Sequence, residues 1–274
     1  MFTVVYSEMT VLIVFNLLLL GHHVQGSNKK GISLWPDQYS CDDFKALNNM
    51  SWWYDWHSDL AFWNKKVPAN CSPMPQHIPM IWTYSNHSTI NIPQYAQFIL
   101  GFNEPDHKDQ ANLSPRTAAN AWREVEKHSR GLPLVSPAPA AQNFHWLDEF
   151  FSLCHGCRVD YIGAHAYSCS ANHVMSYLHK LYQRYQKKIW LTEFACPQSW
   201  NEKQQLHLME TLLPRLEAAH YVFRYSWFEA RITRSFPNAW VTPAASLLHN
   251  DSSTLTNIGR FYNNFQATNP HIIG

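Results

Sequence analysis

The sequence has no strong excess of charge of either sign. Its 21 Lys and Arg residues nearly balance its 20 Asp and Glu residues, which leaves a net charge of +1. Nucleic acids and anionic membrane surfaces attract proteins through clustered basic charge, so neither partner is indicated. The 16 histidines show no His-Glu-x-x-His or other metal-ligand spacing. We therefore predict no metal site, and no cofactor is expected.

Linkers, internal repeats and low-complexity segments are also lacking, which favours a single domain. The apolar run at 11–21 is too short to span a bilayer comfortably, and small residues of the kind that signal peptidase accepts follow it, ending at Gly26. We predict a signal peptide over 1–26 and one catalytic domain over 27–274. An uncleaved membrane anchor is the alternative, because residues 1–10 contain no Lys or Arg.

Cysteines and glycosylation sequons indicate a secreted, extracellular protein. The five Asn-x-Ser sequons lie at Asn49, Asn70, Asn86, Asn112 and Asn250. All six cysteines follow the predicted cleavage point, and an even number in an oxidising compartment suggests disulfides. Sequence alone does not choose among the fifteen possible connectivities, and our working hypothesis is Cys41–Cys71, Cys154–Cys157 and Cys169–Cys196. The Cys154-His-Gly-Cys157 spacing also fits a redox motif, but the setting favours a structural bridge.

Eight strand-like segments alternate with helical patterns along the chain. The strands are predicted at 31–35, 52–56, 78–82, 98–104, 133–137, 159–167, 188–195 and 221–228. Ser114 followed by Pro115 is typical of a helix start, and apolar stripes predict further helices near 143–151, 175–185, 206–216 and 257–265. Such alternation predicts a parallel sheet, and eight units over 248 residues predict a single (β/α)8 barrel, also called a TIM barrel.

Two of these strands end on a glutamate. An apolar run leads to Asn103 and Glu104 before Pro105 stops it, and a second apolar strand ends in Glu193. A carboxyl buried at a strand tip without a purpose would be costly. A structural ion pair is the alternative for Glu104, but two carboxylates at strand ends are what cleavage of a glycosidic bond requires.

Polar and aromatic residues are predicted to meet at one rim of the barrel. In this fold the active site lies at the C-terminal ends of the strands. Besides the residues named above, those ends carry Trp35, Trp56, Trp82, His165, Tyr167, Trp227 and Phe228. The 12 tryptophans of the chain suit a groove in which rings stack against sugar faces.

The motifs at these positions resemble glycoside hydrolase family 128. They are Gly-Phe-Asn-Glu-Pro-Asp at 101–106, Val-Asp-Tyr-Ile-Gly-Ala-His-Ala-Tyr at 159–167, Trp-Leu-Thr-Glu-Phe-Ala at 190–195 and Arg-Tyr-Ser-Trp-Phe at 224–228. The resemblance extends from about residue 31 to 265. It implies a retaining β-1,3-glucanase on a (β/α)8 barrel.

The resemblance also implies a role for individual residues. Glu104 resembles the acid/base and Glu193 the nucleophile, while Asn103 resembles the residue that holds the sugar 2-hydroxyl. Tyr167 resembles a tyrosine that contacts the nucleophile, and His165 is its neighbour at the rim. The family often has His-Trp-Tyr-Gly where this chain has His165-Ala-Tyr-Ser168. The tryptophan of that motif is therefore either lost from the rim or replaced by an aromatic residue from another segment, for which Trp200 is the candidate.

The predicted function is hydrolysis of a β-1,3-glucan polysaccharide through double displacement. The protein is expected to be a secreted monomer that is not bound to a membrane once the signal peptide has been cleaved. We expect Glu104 to stay protonated, with a pKa raised by the charge of Glu193. A secreted glycan-binding protein with little turnover, or a β-glycanase of another linkage specificity, is the alternative. His165 could equally be a core histidine, and Arg224 could bind sugar or form an ion pair at the barrel mouth.

Overall fold

The computed structural model describes residues 27–35, 39–59, 71, 74–85, 89–140, 142–233 and 240–266. Its six strands are all parallel and lie in the order β3-β2-β1-β6-β5-β4. They are β1 Lys30–Ser33, β2 Trp52–Tyr54, β3 Gln76–His77, β4 Ile162–Tyr167, β5 Ile189–Ala195 and β6 Val222–Trp227. Adjacent parallel strands require crossovers, which the intervening helices supply.

Two further extended segments continue the sheet from β3 to β4. Parallel bridges join Met80 to Leu100, Ile99 to Leu134 and Val135 to Tyr161, and the backbone hydrogen bonds Ile81 N→Leu100 O and Val135 N→Ile99 O are both 2.9 Å long. These segments lie at the fourth and fifth of the eight predicted strands. The predicted α/β barrel is confirmed, with six regular strands and two segments held by isolated bridges.

Helices follow the predicted strands, and their starts obey the capping rules. They are α1 Cys41–Ala46, α2 Pro115–His128, α3 Phe144–Leu153, α4 Ala171–Tyr185, α5 Glu202–Ala218 and α6 Asn257–Asn264. The Ser114 side chain accepts a hydrogen bond from Thr117 N ahead of Pro115, and Asn143 caps α3 in the same way. The sequence did not predict α1, which is only six residues long.

The buried side chains form two layers, one inside the ring of strands and one between the strands and the helices. The inner cluster includes Trp52, Tyr54, Met80, Leu100 and Trp190. The larger outer cluster contains the apolar faces of α2 to α6. Successive side chains of a strand point alternately into the inner and the outer layer, so only every second residue can reach a site inside the ring.

The three predicted disulfides are confirmed: Cys41–Cys71, Cys154–Cys157 and Cys169–Cys196. The sequons at Asn49, Asn112 and Asn250 are exposed, whereas Asn70, Asn86 and the predicted signal peptide lie outside the described residues. Among the residues that the structure describes, no helix combines the length and apolar character needed to cross a bilayer.

Candidate active site

The carboxyl ends of the strands bring Glu104 and Glu193 into one site. Glu104 follows the bridge of Asn103 with Ala138, and its backbone φ of 42° lies in the left-handed region that non-glycine residues rarely adopt. Glu193 lies in β5 opposite His165 of β4. One ligand-type atom from each of these three side chains lies within 4.8 Å of the other two. The predicted carboxylate pair is therefore brought together.

Glu193 is buried and held by side-chain donors on both of its oxygens. The Tyr167 hydroxyl donates to Oε2 at 2.5 Å, and the Trp56 indole N–H donates to Oε1 at 3.0 Å. The Tyr54 hydroxyl lies 3.4 Å from the same Oε1 and also donates to Thr192 O at 3.0 Å. These donors match an ionised carboxylate, which only accepts hydrogen bonds.

His165 lies between the two carboxylates with its side chain fully buried. Its Nδ1 is 2.9 Å from Glu104 Oε1 and 3.3 Å from Glu193 Oε2. Burial lowers the pKa of His165, but the charge of Glu193 and the hydrogen bond and charge of Glu104 outweigh it, so the net pKa is raised. Contact of one ring nitrogen of His165 with both acids favours a functional role over that of an ordinary core histidine.

The same contact corrects one expectation about Glu104. Burial raises the pKa of its carboxyl, but the hydrogen bond and charge of His165 outweigh that effect and lower the pKa below its ordinary value. The prediction of a raised Glu104 pKa is therefore wrong for the site without substrate. It considered the repulsion from Glu193 and omitted the histidine, which donates a hydrogen bond to the charged form.

The net pKa shift of Glu193 is in the opposite direction. Burial raises the pKa of this carboxyl, and the nearby charge of Glu104 adds to the rise, while His165, Tyr167 and Trp56 oppose it. The pKa values of Tyr54 and Tyr167 are raised well above their ordinary range by burial and by the charge of Glu193. Both hydroxyls therefore keep their protons and remain available as donors to Glu193.

Asn103 lies beside the acids with an unused acceptor. The residue is 3% exposed, and its Nδ2 donates to Gln110 Oε1 at 3.2 Å. Its Oδ1 has no hydrogen-bond partner among the described residues. A buried amide oxygen without a partner costs free energy, and a sugar hydroxyl at this position would supply the missing donor.

The predicted aromatic residues divide between the site and the core. Trp56 is nine-tenths buried and touches Trp35, which is 43% exposed, with ring centroids 5.5 Å apart. Trp82 is half-buried against the inner cluster. The structure places Trp227 elsewhere, because its buried indole N–H donates to Ala245 O in the outer layer.

Phe228, which the sequence also predicted at the rim, lies at the site where Trp227 was expected to contact substrate. Its ring lies 5.8 Å from the Trp56 ring and 5.7 Å from the Tyr167 ring, measured between centroids, so it forms part of the wall around Glu193. Trp200, the candidate for the missing rim aromatic, is 72% exposed on the loop after β5. No ring contact of Trp200 with the site is found within the described part of the chain.

Sequence reasoning missed two polar members of the site. Tyr54 stands two residues before Trp56, so strand alternation could have placed its hydroxyl on the inner face. Glu229 follows Phe228 at the end of β6, and burial followed by the charge of Glu193 raises its pKa well above the ordinary range. Its Oε2 has no hydrogen-bond partner among the described residues, so Glu229 is a third buried carboxyl at this rim.

The group formed by Glu104, His165 and Glu193 is also of a type that can ligate a metal ion. In the described site, however, the facing atoms already contact one another: His165 Nδ1 forms a hydrogen bond with Glu104 and lies 3.3 Å from Glu193 Oε2, and the Tyr167 and Trp56 side chains donate to the oxygens of Glu193. The carboxylates therefore have hydrogen-bond donors without an ion. The absence of a metal stays a prediction.

A parallel barrel that holds two carboxylates together at the carboxyl ends of its strands defines the class of paired-carboxylate glycoside hydrolases. Comparison with known families agrees, because the family described as glycosyl hydrolase catalytic core matches residues 31–262. The chain belongs to this family and, within it, to glycoside hydrolase family 128, as the motifs at 101–106 and 190–195 predicted.

Solved structures and a curated relative show how far the similarity extends. A family 128 endo-β-1,3-glucanase of Sorangium cellulosum is 32% identical with a TM-score of 0.74, covering 86% of this chain and 98% of that one. An endo-β-1,3-glucanase of Amycolatopsis mediterranei, solved with laminaritriose, is 26% identical with a TM-score of 0.67, covering 86% and 99%. Alkali-sensitive linkage protein 1 of Schizosaccharomyces pombe is 30% identical over 216 residues, which are 74% of this chain but only 39% of that relative.

Proposed function

We propose that this protein is a retaining endo-β-1,3-glucanase in which Glu193 is the nucleophile and Glu104 the acid/base. The observation that carries the proposal is the separation of the two carboxyls, whose facing atoms lie within 4.8 Å of one another and of His165. Retaining glycosidases hold their carboxyl groups about 5–5.5 Å apart, whereas inverting enzymes leave roughly 6.5–9.5 Å for a water molecule. The short separation supports retention.

The first step forms a covalent intermediate. The Glu193 carboxylate attacks the anomeric carbon, the bond from that carbon to the glycosidic oxygen breaks, and Glu104 gives a proton to the departing oxygen. Trp56 and Tyr167 orient the attacking carboxylate, because each binds one of its oxygens. Asn103 Oδ1 is an acceptor for a hydroxyl of the same sugar.

The second step releases the sugar. Glu104, now a carboxylate, takes a proton from a water molecule, which attacks the anomeric carbon while the ester bond to Glu193 breaks. The proton that Glu104 needs for each turnover is held in the Glu104–His165 hydrogen bond, since His165 has a raised pKa and lies 2.9 Å away. Binding of a sugar excludes water from this bond and favours the neutral form of Glu104.

The substrate assignment rests on the family and on its solved members. Two glucanases with the same fold act on β-1,3-linked glucan, and one was solved with laminaritriose. An exposed Trp35 beside a buried Trp56 offers a stacking surface at the same rim. We therefore assign a β-1,3-glucan chain as the substrate, cut at internal bonds.

The test is to incubate the purified protein with laminarin and follow new reducing ends and the size of the products. Proton NMR of the first product should show the β-anomer for retention, whereas the α-anomer would refute the mechanism. Glu104→Gln is the matched control, because it should keep more activity on an aryl glucoside with a good leaving group than on laminarin. Binding of laminarin without any product would instead support the glycan-binding alternative.

We further propose that the enzyme acts outside the cell as a monomeric glycoprotein after removal of residues 1–26. Three disulfides and exposed sequons at Asn49, Asn112 and Asn250 support an oxidising, secretory route. Expression in a secreting host, followed by N-terminal sequencing and treatment with an N-glycosidase, would test this. A protein retained in the membrane fraction with its N-terminus intact would contradict it.

A further inference from the structure

The lower end of the barrel, where the strands begin, holds a cation inside a cage of rings. The Arg224 side chain on β6 lies over four aromatic rings, with its guanidinium carbon 5.0 Å from the ring centroids of Phe98 and Trp190. The corresponding distances are 5.7 Å to Phe223 and 5.8 Å to Trp52. Arg224 lies opposite Trp190, which comes before Glu193 on β5, and its guanidinium group is held among these rings instead of making the sugar contact that the sequence allowed.

No carboxylate pairs with this cation among the described residues. Arg224 Nη2 donates to Gln76 Oε1 at 2.9 Å, while Nη1 is buried without an acceptor. Burial lowers the pKa of Arg224 to about 10, which still leaves it charged at neutral pH. A partly buried charge without a counter-charge is costly, so the rings alone are an incomplete environment for it.

Two other donors in contact with Arg224 also lack an acceptor. The bond from Arg224 fixes the Gln76 amide with its oxygen toward the guanidinium, so Nε2 must face another group, and it has no partner. The indole N–H of Trp190, a residue with 0% exposure, has none either. Three buried N–H donors without an acceptor thus belong to Arg224 and to two side chains in contact with its guanidinium group, and the described residues there supply no anion.

This region adjoins an opening to solvent with a basic margin. A cavity of about 430 Å³ at the starts of the strands is lined by Tyr161 and Phe223 on its inner side and by Lys187 and Lys188 at its edge. The Tyr161 and Phe223 rings are tilted by 33° with centroids 4.5 Å apart, and both contact Trp190. The acid in the cavity wall, Asp160, is already bound to Arg158 at 3.0 Å. The opening therefore favours entry of an anion.

We propose that the lower end of the barrel binds a small inorganic anion of the halide type, such as chloride, on Arg224 Nη1, Gln76 Nε2 and Trp190 Nε1. An anion accepts from all three donors and neutralises the guanidinium. A water molecule would accept two hydrogen bonds but would bring two O–H donors of its own into a region of ring faces and N–H groups. A halide would brace strands β3, β5 and β6 at the end of the barrel opposite the active site.

The test measures the thermal unfolding of the purified full-length protein in sodium chloride, in sodium bromide and in sodium gluconate at matched ionic strength. Binding to the folded state predicts a saturable rise in Tm of roughly 2–4 °C in either halide and a smaller, non-saturating change in gluconate. Arg224→Met should lose the halide response. Arg215→Met is the matched control and should keep it, because Arg215 also binds an amide oxygen, Asn172 Oδ1, but on the surface.

A second variant guards against a failure of Arg224→Met to fold. Gln76→Glu places a carboxylate where the guanidinium already binds, so this variant should be as stable without halide as the wild-type protein is with it, and should lose the halide response. Crystals soaked in bromide should show an anomalous peak within hydrogen-bond distance of Arg224 Nη1. Equal Tm curves in chloride and gluconate, a halide response that survives in both variants, or a water molecule in place of bromide would overturn the proposal.

Discussion

The two ends of the barrel bury charge in opposite ways. At the upper rim the buried groups are acids, and they bind side chains that can themselves gain or lose protons, as Glu193 does with His165 and Tyr167. At the lower end they are cations, and Lys30 Nζ donates to the backbone carbonyls of Tyr262, Asn263 and Phe265 at the end of α6. Carbonyls at a helix C-terminus attract cations and do not titrate, so they stabilise without reacting.

This difference separates chemistry from stability within one fold. Lys29, the neighbour of Lys30, binds the carbonyls of Leu216, Glu217 and Ala219 at the end of α5, so two consecutive lysines fix two helices to β1. Within the described part of the chain, the acids of the upper rim have no such bonds to the backbone, and the pKa of each acid depends on the others. In barrels of this kind the C-terminal ends of the strands carry the reaction and the N-terminal ends carry stability.

Glu193→Gln should show the largest difference between the two ends of the barrel. We expect a loss of turnover on laminarin of roughly 10⁴-fold or more, because the covalent route is closed. Stability should stay equal or increase, since the substitution removes a fully buried charge. Initial rates and thermal unfolding measure the two effects. A variant that keeps a tenth of the wild-type rate would show that Glu193 is not the nucleophile.

Tyr167→Phe should have the next largest effect. It removes the hydroxyl that donates to Glu193 Oε2, and a hydrogen bond to a charged group contributes about 1.5–3 kcal/mol, which corresponds to a loss in kcat/KM of roughly 10–150-fold. Tyr54→Phe is the matched control, because its hydroxyl lies farther from Glu193 at 3.4 Å and also binds Thr192 O. Equal losses in the two variants would contradict the assigned role of Tyr167.

The pH profile tests the shared proton. A histidine whose folded pKa is raised keeps its proton as pH rises through its ordinary value near 6.5, so the alkaline limb of kcat/KM should lie above that value. In the His165→Gln variant the carboxyl of Glu104 alone carries the proton. The alkaline limb of kcat/KM should therefore move to lower pH. An alkaline limb that is the same in both proteins would show that His165 does not hold the catalytic proton.

Lys30→Met should have the smallest effect on catalysis and a clear effect on stability. Three carbonyls lose their donor, which we expect to lower the free energy of unfolding by about 1–3 kcal/mol while kcat stays within twofold. Chemical denaturation and initial rates would measure the pair of effects. A large loss of kcat in a folded variant would mean that the lower end is coupled to the active site.

The sequence indicated the catalytic end of the fold because the signal there is local. An apolar strand that stops at Glu104-Pro105, and another that ends in Glu193, can be found without knowing what lies across the ring. The helix starts at Ser114-Pro115 and Asn143 are local in the same sense, and the structure confirms them.

The sequence could not show which face of a strand each side chain lies on, nor which distant segments come into contact. A shift of one position along β6 turns Trp227 outward to Ala245 and Phe228 inward to Trp56, and no local pattern distinguishes the two. The lowered pKa of Glu104 likewise needs His165, which is 61 residues away in sequence.

The alternation of strands and helices, the two acids at strand ends and the family motifs could be found from the amino-acid order, because periodicity and strand termination are properties of neighbouring residues. The direction in which each strand face points, the acid that binds the histidine and the place of Arg224 among the rings became known only from the folded chain. Those outcomes depend on burial and on distances across the barrel, and both exist only after the chain has closed on itself.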